Sequence, residues 1–201
     1  MSLRDLNLGN KIQLEKIGKV KIVLDREFPE IHRFISVTVS MTPSKEYYVS
    51  IVVEQEIESL KKTNKEVGID VGVKTFIVQS DGIEVANPKY FSKNQAKLAK
   101  LQQYYSLKKK GSNRQAKTRL KIAKLHRDIV RQRQHFIHNE SIRLVRDYDR
   151  IFIEDLDVKG MLESKLMSKE ISDVSWSEFA RQLLYKACFS KICYPVFRSF
   201  F

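Results

Sequence analysis

The chain is 201 residues long with 42% hydrophobic and 10% aromatic residues, which suits one or two domains with a buried core and excludes a disordered chain. Its net charge of +13 implies an acidic partner, most often nucleic acid, with an anionic membrane surface as the other solution to the same arithmetic. No run reaches the roughly 20 apolar residues of a membrane span, the N-terminus lacks the apolar core of a secretion signal, and two cysteines cannot build a disulfide framework.

A cytoplasmic, nucleic-acid-facing protein is therefore expected, and the elements follow in chain order. Residues 11 to 58 are rich in β signals. FISVTVS alternates Val37 and Val39 with Ser36, Thr38 and Ser40, YYVSIVVE follows, and TPSKE between them supplies turn residues, so a hairpin is predicted. GKVKIVL, residues 18 to 24, reads as a third strand, and the lysines of this small β domain as a solvated face. KKTNKE, residues 61 to 66, is polar and linker-like. VGIDVGVKTFIVQSDG, residues 67 to 82, then reads as a buried strand with one acid, Asp70, in its middle, closed by a turn at Ser80, Asp81 and Gly82; IEVANPKYF returns as its partner. From Ser92 the period becomes helical, through Leu98, Leu101 and Tyr105, a break at Gly111, and then Ile122, Leu125, Ile129, Phe136, Leu144 and Tyr148. Two antiparallel helices are predicted. RIFIEDL is another short apolar strand, VKGMLESKLMSKEISDVS is loop-like, and WSEFARQLLYKA is a helix with Ser175 and Glu178 at capping-box spacing.

Asp70 raises the first chemical question. An ionised carboxylate buried without a partner costs more than a short strand recovers, so buried charges are paired or bound to metal. Glu154, in RIFIEDL, has the same setting. If the two strands are neighbours in one sheet, their carboxylates converge, and a hard cation such as Mg²⁺ neutralises such pairs at phosphate-processing sites. Two such ions can clamp the attacking and leaving oxygens of a phosphodiester displacement. The plainer reading has each acid ending a strand and pointing at solvent. Asp155 and Asp157 leave open which acid is the ligand.

The helical pair is the second feature. From Lys93 to Arg133 its many lysines and arginines are opposed only by Asp128. A solvated helix normally interleaves both signs. An excess of one sign points to a polyanion, held mainly through phosphates and with little sequence readout; a soluble helical hairpin with no ligand is the plainer reading. His126, His135 and His138 read as ordinary surface or core histidines, and Cys188 with Cys193 is a poor zinc pair. Gly68 and Gly72 flank Asp70 without forming a phosphate loop. Trp176 reads as core.

GIDVGVKTF, a long basic hairpin containing HRDIVRQRQHFIH, IFIEDLDVKGM and DVSWSEFARQLLYKA, in that order, resemble the TnpB (OrfB) family over about residues 11 to 187. The family comprises transposon-encoded proteins related to type V CRISPR effectors. The resemblance implies an α/β (α+β) chain. Residues 1–62 would be part of a β-barrel-like domain that grips nucleic acid. Residues 63–187 would be part of a RuvC-like domain of ribonuclease H fold, interrupted by the basic helical hairpin at about 92–149. Residues 188–201 form an atypical tail. The implied activity is RNA-guided, Mg²⁺-dependent DNA cleavage with Mn²⁺ as substitute, and the implied partners are DNA and guide RNA. Carried over by position, Asp70 and Glu154 match the first two catalytic, metal-holding acids. Lys117, Lys121, Lys124, Arg127, Arg131 and Arg133 fall in the helical region that lies against nucleic acid, and Lys74 joins them from GIDVGVKTF.

After YKA the family continues with a further strand, a zinc ribbon of two CxxC pairs and a third catalytic Asp, none of which has a counterpart in CFSKICYPVFRSFF. The opening helical segment of the family also lacks one. The expectation is a fragment short at both ends, with a tail translated out of frame; the alternative is a true terminal strand. Two carboxylates hold less charge against Mg²⁺ than three, so weak or absent cleavage by this chain alone is expected. A nuclease-inactive RNA- or DNA-binding module is the alternative function. The third reading is an inert remnant of a mobile element, prone to aggregate through an open sheet edge and the aromatic tail.

Overall fold

The computed structural model describes residues 11–14, 17–23, 33–54, 60–154, 173–190 and 196–197, which divide near residue 56 into two compact units. In the first, β1 (Lys11–Leu14) pairs antiparallel with β2 (Gly18–Lys21), Ile12 opposite Val20. β3 (Arg33–Met41) pairs antiparallel with β4 (Tyr47–Glu54), Val39 opposite Val49 and Met41 opposite Tyr47. This is the predicted hairpin. Its turn is closed by the Thr42 amide donating to the Glu46 carbonyl at 2.9 Å and the Glu46 amide donating to Thr42 Oγ1 at 3.3 Å. The predicted GKVKIVL strand is shorter than expected, four residues long. No closed barrel forms among the described residues: closure requires each strand to bond on both sides, and these strands pair only within their own two-stranded sheets.

The second unit holds a five-stranded sheet in the order β7-β6-β5-β8-β9, with β5 (Glu66–Val71), β6 (Thr75–Gln79), β7 (Glu84–Ala86), β8 (Arg150–Glu154) and β9 (Val196–Phe197). β5, β6 and β7 are antiparallel neighbours, whereas β8 runs parallel to β5 and β9 parallel to β8. The tail thus contributes a two-residue edge strand. The run read as one buried strand over 67–78 is two. Gly72 turns the chain so tightly that a Cβ there would lie 2.8 Å from the Thr75 carbonyl oxygen, and its amide donates to the Phe76 carbonyl at 3.3 Å. Gly82, at φ +89°, closes the next turn in the left-handed region that glycine tolerates.

Helices cover one face of the sheet. α1 (Tyr90–Ser106) and α2 (Asn113–Asp147) form the predicted hairpin, and α3 (Trp176–Ser190) follows. Ser112 caps α2 by accepting the Gln115 amide at 3.2 Å. Helix α2, about 52 Å long at 1.5 Å per residue, has two jobs. Its first half packs Leu125 and Ile129 on Leu98 of α1. Its second half puts Ile137, Leu144 and Val145 into the main core, with Val67, Ile69, Phe76, Ile77, Ile151 and Ile153 from the sheet and Phe179 and Leu183 from α3. Phe76 joins the layers through edge-on contacts with Phe136 at 4.9 Å and Phe179 at 5.1 Å between ring centroids. Trp176 is buried, as expected of a core residue.

Polar anchors complete the unit. The predicted linker is tied down: the amides of Thr63 and Asn64 donate to the Asp149 carboxylate at 3.0 and 2.7 Å, and these donors hold its pKa below the usual carboxylate value, the Thr63 amide first among them. Lys186 of α3 donates to the His138 carbonyl at 3.1 Å and to Gln182 Oε1 at 3.0 Å, and burial pushes its amine down to about 8. Ser175 directly precedes α3, as predicted, and its carbonyl accepts the Glu178 and Phe179 amides at 3.1 Å. Ser175 sits at φ +57° and accepts from Arg133 at 3.2 Å, while the Glu178 carboxylate takes bonds from Arg181 and Gln182.

Candidate functional site

Strand pattern and register place the two carboxylates. β5 reads EVGIDV and β8 reads RIFIE; in both, alternate residues (Val67, Ile69 and Val71; Ile151 and Ile153) are buried against the helices. Side chains alternate along a strand, so Glu66, Gly68 and Asp70, with Arg150, Phe152 and Glu154, belong to the opposite face. Pairing runs Glu66 with Arg150, Val67 with Ile151, Gly68 with Phe152 and Ile69 with Ile153, so Asp70 and Glu154 are the next step of the ladder on strands about 4.8 Å apart. Asp70 is exposed, not buried: Ile69 and Val71, its neighbours in sequence, are buried on the opposite face of the sheet.

On that same face, at the other end of the strands, Arg150 Nη1 reaches Glu66 Oε1 at 2.6 Å. Side chains at paired positions of this face therefore meet across β5 and β8. At the carboxyl ends the pair is acid beside acid, and like charges opposite one another destabilise a sheet unless a cation lies between them. The chemistry of the set, exposed oxygen donors of equal charge, suits a hard divalent ion that keeps some of its water. Among the described residues no third His, Cys, Asp or Glu joins them in a cluster. Asp155 and Asp157 lie outside the described residues.

The predicted nucleic-acid residues divide into two groups. Lys117, Lys121, Lys124 and Arg131 follow helical spacing along one exposed stripe of α2, and Lys74 is exposed in the turn between β5 and β6. Arg127 is half-buried and bonded to Asp128 at 2.6 Å. Arg133 is committed within the fold: it bonds Asp173 at 3.0 Å and Ser175 at 3.2 Å. Among the described residues no helix is long and apolar enough to cross a membrane. His126 and His135 are exposed on α2, as is Cys188 on α3; Cys193 lies outside the described residues.

Asp173 is the residue that sequence reasoning missed. Its buried carboxylate accepts the backbone amides of Phe91 at 3.1 Å and Ser92 at 3.4 Å, at the start of α1. Lys89, at the N-cap position of α1, provides no side-chain bond. Helix α1 is thus capped from more than 80 residues away, by the acid that also holds Arg133 of α2.

A family profile described as "Probable transposase" matches residues 50–165. The chain belongs to the TnpB (OrfB) family. It is similar to a "Putative RNA-guided DNA endonuclease" of Streptomyces pristinaespiralis, 37% identical over 80% of this chain and 40% of that protein. It is also similar to the "Putative RNA-guided DNA endonuclease InsQ" of Escherichia coli K12, 32% identical over 89% of this chain and 48% of that protein. The chain spans less than half the length of these two TnpB relatives.

Proposed function

We propose that this chain is the RuvC-like, nucleic-acid-binding portion of a transposon-associated, RNA-guided DNA endonuclease, with DNA and guide RNA as partners. The observation that supports the proposal is the parallel β5–β8 register, which ends at Ile69 and Ile153 and whose next step would bring Asp70 and Glu154, both exposed, side by side. Three antiparallel strands followed by two parallel ones, with helices packed on the sheet, support a ribonuclease H-like reading of the fold. Asp70 and Glu154 would hold Mg²⁺, or Mn²⁺ in its place. A bound divalent cation supplies Lewis-acid stabilisation of charge on a phosphodiester. The lysine stripe of α2 holds phosphates by charge and so fixes a strand relative to the acids, which is positioning rather than readout.

Binding is tested by salt titration. Replacing Lys117, Lys121 and Lys124 together by alanine is expected to reduce the slope of log affinity against log salt on duplex DNA by about 2 to 3, since each phosphate contact contributes about 0.9. Filter binding between about 50 and 200 mM salt measures it; an unchanged slope contradicts the assignment. Cleavage is a separate matter. With two carboxylates among the described residues, this chain alone is proposed to nick DNA weakly or not at all. Supercoiled plasmid incubated with Mg²⁺ or Mn²⁺ should stay intact, and nicking that disappears in Asp70→Ala would overturn that expectation.

A further inference from the structure

We infer that the tip of the α1–α2 hairpin is a stacking site for unpaired nucleobases, centred on Tyr104. The inference rests on the nucleic-acid reading above and adds a class of ligand to it. Lys93, Lys97, Lys100 and Tyr104 follow one another at four-, three- and four-residue steps, which places them on one stripe of α1, and all four are exposed. Leu101, which flanks this stripe, and Leu98, further round α1, pack on α2. The stripe therefore consists of three cations that end in an aromatic ring.

The ring stands open to solvent. Tyr104 is 61% exposed and Leu107, which follows the helix, 75% exposed, where the chain enters the run Lys108, Lys109, Lys110. Lys108 Nζ lies 5.5 Å from the centroid of the Tyr104 ring, within cation–π reach. No acidic residue occurs between Glu84 and Asp128, so nothing on the hairpin before Asp128 opposes a polyanion. The exposed tyrosine and leucine give the tip an apolar surface set among lysines. A single strand supplies what both need: phosphates for the cations and an apolar base for the ring. A duplex keeps its bases stacked within itself and offers the lysines phosphates alone, so Tyr104 distinguishes the two.

Fluorescence anisotropy with the full chain tests this. The probes are labelled 12-nucleotide oligo(U), oligo(dT), an abasic sugar-phosphate strand of the same length and a 12-base-pair duplex; the proteins are wild type, Tyr104→Ala and Tyr104→Phe. Tyr104→Ala is expected to bind oligo(U) and oligo(dT) about tenfold more weakly, in keeping with the loss of one stacked base, and to match wild type on the abasic strand and the duplex. Tyr104→Phe keeps the ring and is expected to bind as wild type does. Preference for oligo(U) over oligo(dT) would identify RNA as the strand held there, and equal affinity would admit both. Equal affinity of wild type and Tyr104→Ala for the base-bearing strands, or an equal loss on the abasic strand, overturns the stacking site and leaves the nucleic-acid reading standing. Wild type that binds none of the four probes overturns both.

Discussion

Asp173→Ala is expected to lower the stability of the second unit by about 3 kcal/mol, the lower end of what breaking a buried ion pair costs. Two effects combine. The Arg133 guanidinium loses its carboxylate partner at 3.0 Å while its side chain remains only 21% exposed. The Phe91 and Ser92 amides lose the acceptor that caps α1, and no side chain at Lys89 replaces it. A lost cap alone costs about 1 kcal/mol. Because the Arg133 side chain is partly exposed, the upper part of the range is not expected. Asp173→Asn keeps the shape and one acceptor oxygen but not the charge, and should cost about half as much, since hydrogen bonds to charged groups are roughly twice as strong as neutral ones. For a protein of this size 3 kcal/mol corresponds to a fall in Tm of about 6 to 12 °C. Trp176, the chain's one tryptophan and buried in this core, reports the transition by fluorescence. A Tm within about 2 °C of wild type for Asp173→Ala would show that Asp173 does not bind the hairpin to the core.

How much of this was legible in the sequence varies with the range of the interaction. The β3–β4 hairpin, the α1–α2 pair and the β8 strand follow from local signals: period-two alternation with TPSKE between, apolar residues at helical spacing, and a short apolar run at RIFIE. The VGIDVGVKTF run reads as one strand because apolar residues dominate it, with only Asp70, Lys74 and Thr75 between them. Its turn depends on the close approach of Gly72 to Thr75, which leaves no trace in hydrophobicity. Asp70 was expected to be buried for the same reason: sequence gives apolar neighbours along the chain, whereas burial depends on which face they share, and Ile69 and Val71 share the other one. Asp173 was invisible because its partners at Phe91, Ser92 and Arg133 lie 40 to 82 residues away. The one available hint was α1 itself, which begins after Pro88 and Lys89 without a Ser, Thr, Asp or Asn to cap it. Arg133 shows the converse: as a cation in a basic run it resembles its neighbours in sequence, and only the fold shows that it is bonded to Asp173 and Ser175.

The second large effect concerns the acid pair. Asp70 and Glu154 continue a register that ends at Ile69 and Ile153, both are exposed, and the Glu66–Arg150 contact shows that side chains of this face meet across the same two strands. Without a cation their charges repel, so removing either one is expected to leave stability unchanged or slightly raised, by no more than about 1 kcal/mol. With a cation, removing either deletes a ligand. Replacing even an outer-shell partner of a metal ligand typically costs 10- to 100-fold in affinity, so loss of a ligand is expected to cost at least about tenfold. The most direct measurement is a Mn²⁺ titration followed by the electron paramagnetic resonance signal of the free ion, on wild type, Asp70→Asn and Glu154→Gln. Wild type is expected to show a saturable Mn²⁺ site that weakens at least about tenfold in each variant, with circular dichroism and Tm preserved in both. Wild type without saturable binding, or variants that bind Mn²⁺ as wild type does, would contradict the assignment of Asp70 and Glu154 as a metal-holding pair.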